Sequence, residues 1–161
     1  MSPKQQQGFS LIELLIVVAI IGIIASIAIP SLLASKRAAN EGSALSAMRS
    51  VHSAQTTYLN TAGAGSYGTL ANLGTESMID AVLASGNKSG YTIACPAANL
   101  AGGPPPTYFA TAIPANTAAV TRTGNRSFVI ADDGIVRGKV TDTAAADRAE
   151  ALTSATWPPL N

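Results

Sequence analysis

The sequence predicts an α+β fold. One long amino-terminal helix, membrane-spanning in its upper half, packs at its lower half on a small antiparallel sheet of three or four strands. Three observations predict it. Residues 14–35 form a run of 22 residues without a charge. Leu45, Met48, Val51 and Tyr58 then recur at spacings of 3, 3 and 7, which suit one face of a continuing helix. Beyond residue 90, short β-rich runs alternate with Pro and Gly breakers. A helix with one apolar stripe needs a cover, and a small sheet supplies it.

Composition narrows the function classes. The 161 residues suit a single domain, and charged residues are only 12%, about half the usual share. Ten Lys and Arg face nine Asp and Glu, which excludes a binder working mainly through net basic charge. One cysteine, Cys95, excludes an intrachain disulfide and a multi-cysteine metal site. One histidine, His52, excludes a His-rich site, and it reads as a surface or packing residue.

As a helix, residues 14–35 span roughly 33 Å at ~1.5 Å per residue, the thickness of a bilayer's hydrocarbon core. No polar stripe interrupts residues 14–29, unlike the buried helix of a soluble domain. A removable signal peptide has a shorter apolar core ending at small residues, whereas here Lys36 and Arg37 follow the small residues near Ala34. The Lys and Arg bias sets no orientation, because Lys4 and the amino terminus oppose Lys36 and Arg37. Glu13 is the anomaly. A carboxylate in hydrocarbon costs several kcal/mol unless it is paired or neutralised. It either snorkels to the headgroups or meets a positive partner, and a new amino terminus at Phe9, one helical turn away, would be such a partner.

The string Gly8-Phe9-Ser10-Leu11-Ile12-Glu13-Leu14-Leu15-Ile16-Val17 resembles the class III leader of type IV pilins and type II secretion pseudopilins. The resemblance covers about 30–55 residues and departs at Gln7, where Lys or Arg is commoner. It implies a pilin-like fold, a leader at 1–8, cleavage after Gly8 by a prepilin peptidase and N-methylation of Phe9. It also implies that Glu13 serves subunit assembly, and that Gly22 and Pro30 stand at the family's helix-weakening offsets. The function it implies is a structural subunit of a type IV pilus, held in the bacterial inner membrane before polymerisation into an extracellular filament. The alternative is a major-type pseudopilin of a type II secretion system, forming a periplasmic pseudopilus. A remoter alternative is a secreted soluble binding protein with a long signal peptide. The implied partners are identical or related pilin subunits in a helical homopolymer, the prepilin peptidase, an inner-membrane assembly platform and, before assembly, membrane lipid.

Physical chemistry fits the implied roles. In a lipid-free filament the apolar helices form a dry core, where Glu13 needs a cation. The Phe9 ammonium of a neighbouring subunit neutralises it and fixes register, and methylation keeps the ammonium charge. Pro30 removes a backbone donor and clashes with the carbonyl at position 26, costing about 3 kcal/mol in a helix interior. Gly22 costs about 1 kcal/mol against Ala.

The rest divides into residues 9–35 as membrane or filament-core helix, 36–60 as its amphipathic continuation, 61–140 as a globular loop-and-sheet region, and 141–161 as a poorly structured tail anchored by Trp157. In 36–60, Lys36, Arg37, Glu41 and Arg49 are expected on wet faces. Residues 61–74 read as a loop and 76–84 as a short helix with Thr75 as N-cap and Gly86 beyond its end. Strands are expected at 91–95, 107–113, 126–131 and 135–140, the last two joined by Asp132-Asp133-Gly134, a hairpin signal. No enzyme is expected. The string at 63–68, GAGSYG, follows a helix instead of a strand, against the dinucleotide fingerprint. Asp132, Asp133, Asp142 and Asp147 could supply oxygens to Ca²⁺, and some pseudopilins hold Ca²⁺ in this region. The spacing matches no recognised loop, and turn chemistry explains Asp132 and Asp133, so neither metal nor cofactor is expected. Cys95 reads as a small buried hydrophobe. Eight aromatics are too few for a stacking platform, and no specific nucleic acid is expected.

Overall fold

A computed structural model describes residues 9–98 and 105–160, with side chains of Ala97 and Ala98 excepted. Residues 1–8, the expected leader with Lys4, Gln7 and Gly8, and part of the loop before Thr107 lie outside the described residues. Helix α1 is Leu11–Asn60, 50 residues long, and it continues through Gly22 and Pro30. Residue contacts divide the chain after Lys36 into two units, each described by itself.

In the first unit the large apolar side chains from Phe9 to Leu32 are exposed, Phe9 by 82% and Ile27 by 72%. The helix is long and apolar enough to cross a membrane by length and composition. With apolar side chains on every face, it has no face suited to water and needs lipid or protein around it.

In the second unit, α1 buries Ala44, Ala47, Met48, Val51, Ala54 and Gln55, a stripe at helical spacing. It faces an antiparallel sheet of β1 (Asn87–Lys88), β2 (Tyr91–Ala94), β4 (Thr107–Pro114), β5 (Ser127–Ala131) and β6 (Arg137–Lys139) in the order β1-β2-β4-β5-β6. A further strand, β3 (Ala97–Ala98), pairs with β4. The sheet therefore exceeds the three or four strands expected. The four expected runs are β2, β4, β5 and β6, and the additions β1 and β3 have two residues each, too few to show a period. Register follows burial: β2 alternates buried and exposed, and its inward Tyr91 and Ile93 join Tyr108, Ala110, Ala112, Phe128 and Ile130 in the core under α1.

All five residues of β5 are buried, because the sheet is covered on both faces. Val129, pointing away from α1, packs with Ala145, Ala151 and Trp157, and Phe109 borders them. This corrects the poorly structured tail. Residues 141–161 contain α4 (Arg148–Leu152) with Asp147 as N-cap, and Trp157 is 1% exposed. The chain at 158–160 then lies along β6, with Gly138 N–H donating to Pro158 O and Leu160 N–H to Val136 O. That covers an edge which would otherwise offer unpaired backbone groups.

The link between α1 and β1 also differs from expectation. Within the expected loop, α2 (Leu70–Thr75) starts at a capping box of Thr69 and Asn72. It ends in a Schellman motif with Ser77 at φ 55°, Met78 N–H bonding to Leu73 O and Ser77 N–H to Gly74 O. The next helix, α3 (Ala81–Ala84), starts at Asp80, not near Thr75. Gln55 fixes this link to α1 by donating to Gly68 O at 2.5 Å and accepting from Gly68 N at 3.0 Å.

A second correction lies at Arg37 and Glu41 of α1, expected on wet faces; Lys36 and Arg49, expected there too, are exposed. Arg37 donates to Arg122 O at 3.3 Å and to Ala119 O at 3.2 Å, and Asn40 to Thr123 O at 2.8 Å. Glu41 is buried, accepting from Asn125 N at 2.8 Å and Arg126 Nε at 3.0 Å. Single charges between apolar positions read as solvated; their partners lie more than 80 residues away in sequence.

Met48 is fully buried, whereas Leu45 only borders the core. Met48→Ala should therefore cost about 2–5 kcal/mol, and Leu45→Ala clearly less. Urea denaturation of the chain in detergent, followed by circular dichroism, measures both. Equal losses would count against this packing.

Candidate assembly site

Ser10 and Glu13 open α1. Glu13 Oε2 accepts from Ser10 N at 2.9 Å, and Ser10 Oγ accepts from Ile12 N at 3.4 Å. This is a capping-box arrangement, in which an N-cap hydroxyl and an acid three residues on satisfy orphan helix donors. The Ser10-x-x-Glu13 spacing is a sequence signal for a helix start that the cation argument for Glu13 does not use. A carboxylate here also faces the positive end of the helix dipole. Glu13 thus has a local partner in the uncut chain, and that partner N–H lies one residue from the nitrogen that cleavage after residue 8 would free. Phe9 is exposed beside it. The structure places Ser10 and Glu13 at the start of α1, with Phe9 just before it. Gly22 and Pro30 lie further along the same helix, and Gly8 is outside the described residues.

The aspartates weighed as calcium ligands each have a donor from their own chain. Asp132 takes Arg148 Nε and Nη2 at 2.5 and 2.7 Å. Asp133 takes Arg137 Nη2 at 2.6 Å and Ile135 N at 3.1 Å. Asp142 pairs with Arg122, and Asp147 accepts from Glu150 N at 2.8 Å. Among the described residues, no three His, Cys, Asp or Glu side chains form a metal-holding group. His52 Nδ1 lies 2.5 Å from Tyr108 Oη. Burial pushes the Tyr108 and Tyr91 hydroxyls well above their usual range. The Cys95 thiol is pushed up to about 11 by burial, against the bond from Gln55. Groups so placed are protonated near neutrality and poorly suited to nucleophilic or acid–base work.

Asp133 gives a pH prediction. Burial alone would raise its carboxyl, but the bonds from Arg137 and the Ile135 N–H outweigh burial and lower it. A lowered carboxyl stabilises the fold above its unfolded value of about 3.9, and that contribution is lost as pH falls through the folded value. Arg137 is buried, its Nε unpartnered among the described residues, and its backbone bridges to Pro159. Asp133→Asn should therefore lower stability at pH 7 and flatten the loss of stability on acidification below about pH 4. The single Trp157 reports both by fluorescence; an unchanged acid profile would count against the pair.

Residues 3–29 match the prokaryotic N-terminal methylation motif. The Type IV wide pilus major component PilA4 of Thermus thermophilus is 55% identical over 38 residues, covering 24% of this chain and 29% of that protein. The Type II secretion system core protein G of Escherichia coli is 34% identical over 98 residues, covering 58% of this chain and 66% of that protein. The chain thus spans less than a third of the first relative's length and about two thirds of the second's. No solved structure matches.

Proposed function

Because the chain belongs to the pilin and pseudopilin family, we propose that it is the structural subunit of a type IV pilus. It is held in the bacterial inner membrane by α1, cut after Gly8 and methylated at Phe9 by a prepilin peptidase. An inner-membrane assembly platform then transfers it into an extracellular filament. The observation that carries this reading is the methylation motif over residues 3–29 on a helix whose apolar side chains are exposed. Transfer from lipid to filament exchanges one apolar surrounding for another, so the hydrophobic cost of leaving the bilayer is small once neighbouring helices are in place. What must be supplied is a partner for Glu13, and the Phe9 ammonium of a neighbouring subunit supplies it. Gly22 and Pro30 weaken the helix between them and let it adjust on transfer.

The second reading, a major-type pseudopilin of a periplasmic pseudopilus, has its own support. The secretion-system relative aligns over 98 residues, against 38 for the pilus relative. Both readings share the processing step. Gly8→Val should leave an uncut membrane precursor, because the peptidase must accept a residue without a side chain at the scissile bond. Amino-terminal sequencing checks it: N-methyl-Phe9 is expected from the wild type, and normal mature product from Gly8→Val would sink the proposal. A mature terminus near Ser35 would favour a secreted soluble protein. Deleting the gene then separates the first two readings, by loss of sheared surface filaments or by loss of protein secretion.

A further inference from the structure

We infer that the β4–β5 connection at residues 115–126 is a membrane-surface contact that takes anionic phospholipid headgroups while the subunit waits in the bilayer. This rests on the membrane-held stage proposed above. The loop is strapped to one turn of α1 by the five hydrogen bonds of Arg37, Asn40 and Glu41. Arg37 stands two residues past Ser35, the end of the charge-free run, which is about 3 Å along a helix. The straps are to that turn itself, so the loop's depth follows from Arg37.

The loop's chemistry suits that depth. Residues 115–121 are exposed and uncharged, and Val120 is 71% exposed. Three guanidiniums, of Arg37, Arg122 and Arg126, flank them. Arg126 pairs with Glu41 and Arg122 with Asp142. Among the described residues Arg37 has no carboxylate partner and bonds only to carbonyls, so its charge is uncompensated. Lys36 precedes it in sequence. In a chain of ten cations and nine acids, unneutralised charge beside an uncharged loop tip that exposes Val120 is a combination suited to an anionic interface: valine at the headgroup boundary, guanidinium on phosphate.

The test uses the full chain in vesicles of phosphatidylcholine, alone or mixed with phosphatidylglycerol. A fluorophore is placed on Ile21→Cys, Val120→Cys or Ile135→Cys. Cys95 is buried with its thiol pushed up to about 11, so the introduced thiol takes the label. Ile135 is also exposed, but its neighbour Gly134 abuts His52, 15 residues beyond Arg37 and about 22 Å along α1. Headgroup nitroxides should quench the Val120 label severalfold more than the Ile135 label in anionic vesicles. High salt, which shortens the screening length to about 3 Å, and Arg37→Gln should each reduce that difference severalfold. If acyl-chain nitroxides quench the Ile21 label while the labels at 120 and 135 are quenched alike, the loop contact is overturned and the membrane stage stands. An unquenched Ile21 label would overturn both. Self-quenching of the Val120 label that is indifferent to lipid charge would overturn the lipid contact in favour of a second copy.

Discussion

Glu13→Val should leave the chain in the membrane and out of the filament. Removing a carboxylate from an apolar run lowers the cost of insertion, so membrane levels should equal or exceed those of the wild type. Cleavage should persist, since position 13 lies downstream of the scissile bond. The loss falls on assembly, where a neighbour's Phe9 ammonium would be buried unpaired at about 3–5 kcal/mol, a decrease of roughly a hundredfold or more in incorporation at 1.36 kcal/mol per tenfold. The capping bond from Ser10 N to Glu13 Oε2 adds a second, smaller effect, about 0.5–2 kcal/mol for a lost cap. Glu13→Gln separates the two, because glutamine can serve a capping box but carries no charge. It should fall between wild type and Val. The measurement is protein in sheared filaments relative to membranes at matched expression. Equal partitioning of Glu13→Val would show that the charge does not recruit the subunit and would favour snorkelling to the headgroups. Wild-type behaviour of Glu13→Gln alone would assign the role to the cap.

Trp157→Ala should cost about 3–5 kcal/mol, the largest effect expected in the second unit. Trp157 is 1% exposed against Val129, Ala145 and Ala151 on the sheet face turned away from α1. Its Nε1 donates to Glu150 Oε1 at 3.2 Å, and its backbone N–H to Thr153 O at 2.8 Å. Truncation leaves a ring-sized void and frees the segment that covers the β6 edge. Trp157→Phe keeps most of the ring and loses one hydrogen bond, a cost of about 0.5–1.5 kcal/mol. Denaturation followed by circular dichroism measures both. A change within about 0.5 kcal/mol for the Ala variant, the size of an ordinary surface substitution, would restore the loose tail.

The proposed assembly site rests in the sequence on Gly8, Phe9 and Glu13, and the structure adds the bond from Ser10 N to Glu13 at the helix start. Its signals are local: a charge inside an apolar run, and a hydroxyl and an acid three residues apart at a helix start. The second of these stands in Ser10-x-x-Glu13, a spacing that marks a helix start whether or not a cation is near. The four longer strands were legible as well, since each carries its own period and its own Pro, Gly or Asp-Gly boundary. The short helices fared worse. Thr69, Thr75 and Asp80 are all acceptable N-caps by residue type, and the buried positions of Leu70, Leu73 and Leu83 decide between them.

By itself the sequence determined that this chain has a helix no aqueous surface can accommodate, that the helix continues into an amphipathic half, and that antiparallel strands cover it. Period, charge spacing and turn residues are properties of neighbours in the chain, and they survive without a fold. Only the tertiary structure decided where isolated polar and small residues go. Glu41 is buried because Asn125 and Arg126 reach it across a sequence distance of more than 80 residues. Gln55 is buried because Gly68 meets its amide with a donor and an acceptor and Cys95 accepts a further bond. The tail is ordered because Trp157 finds Val129 on a sheet face that no helical period points to. Each is a long-range pairing in which burial becomes favourable only once the partner is in place, and no local pattern records which partner that is.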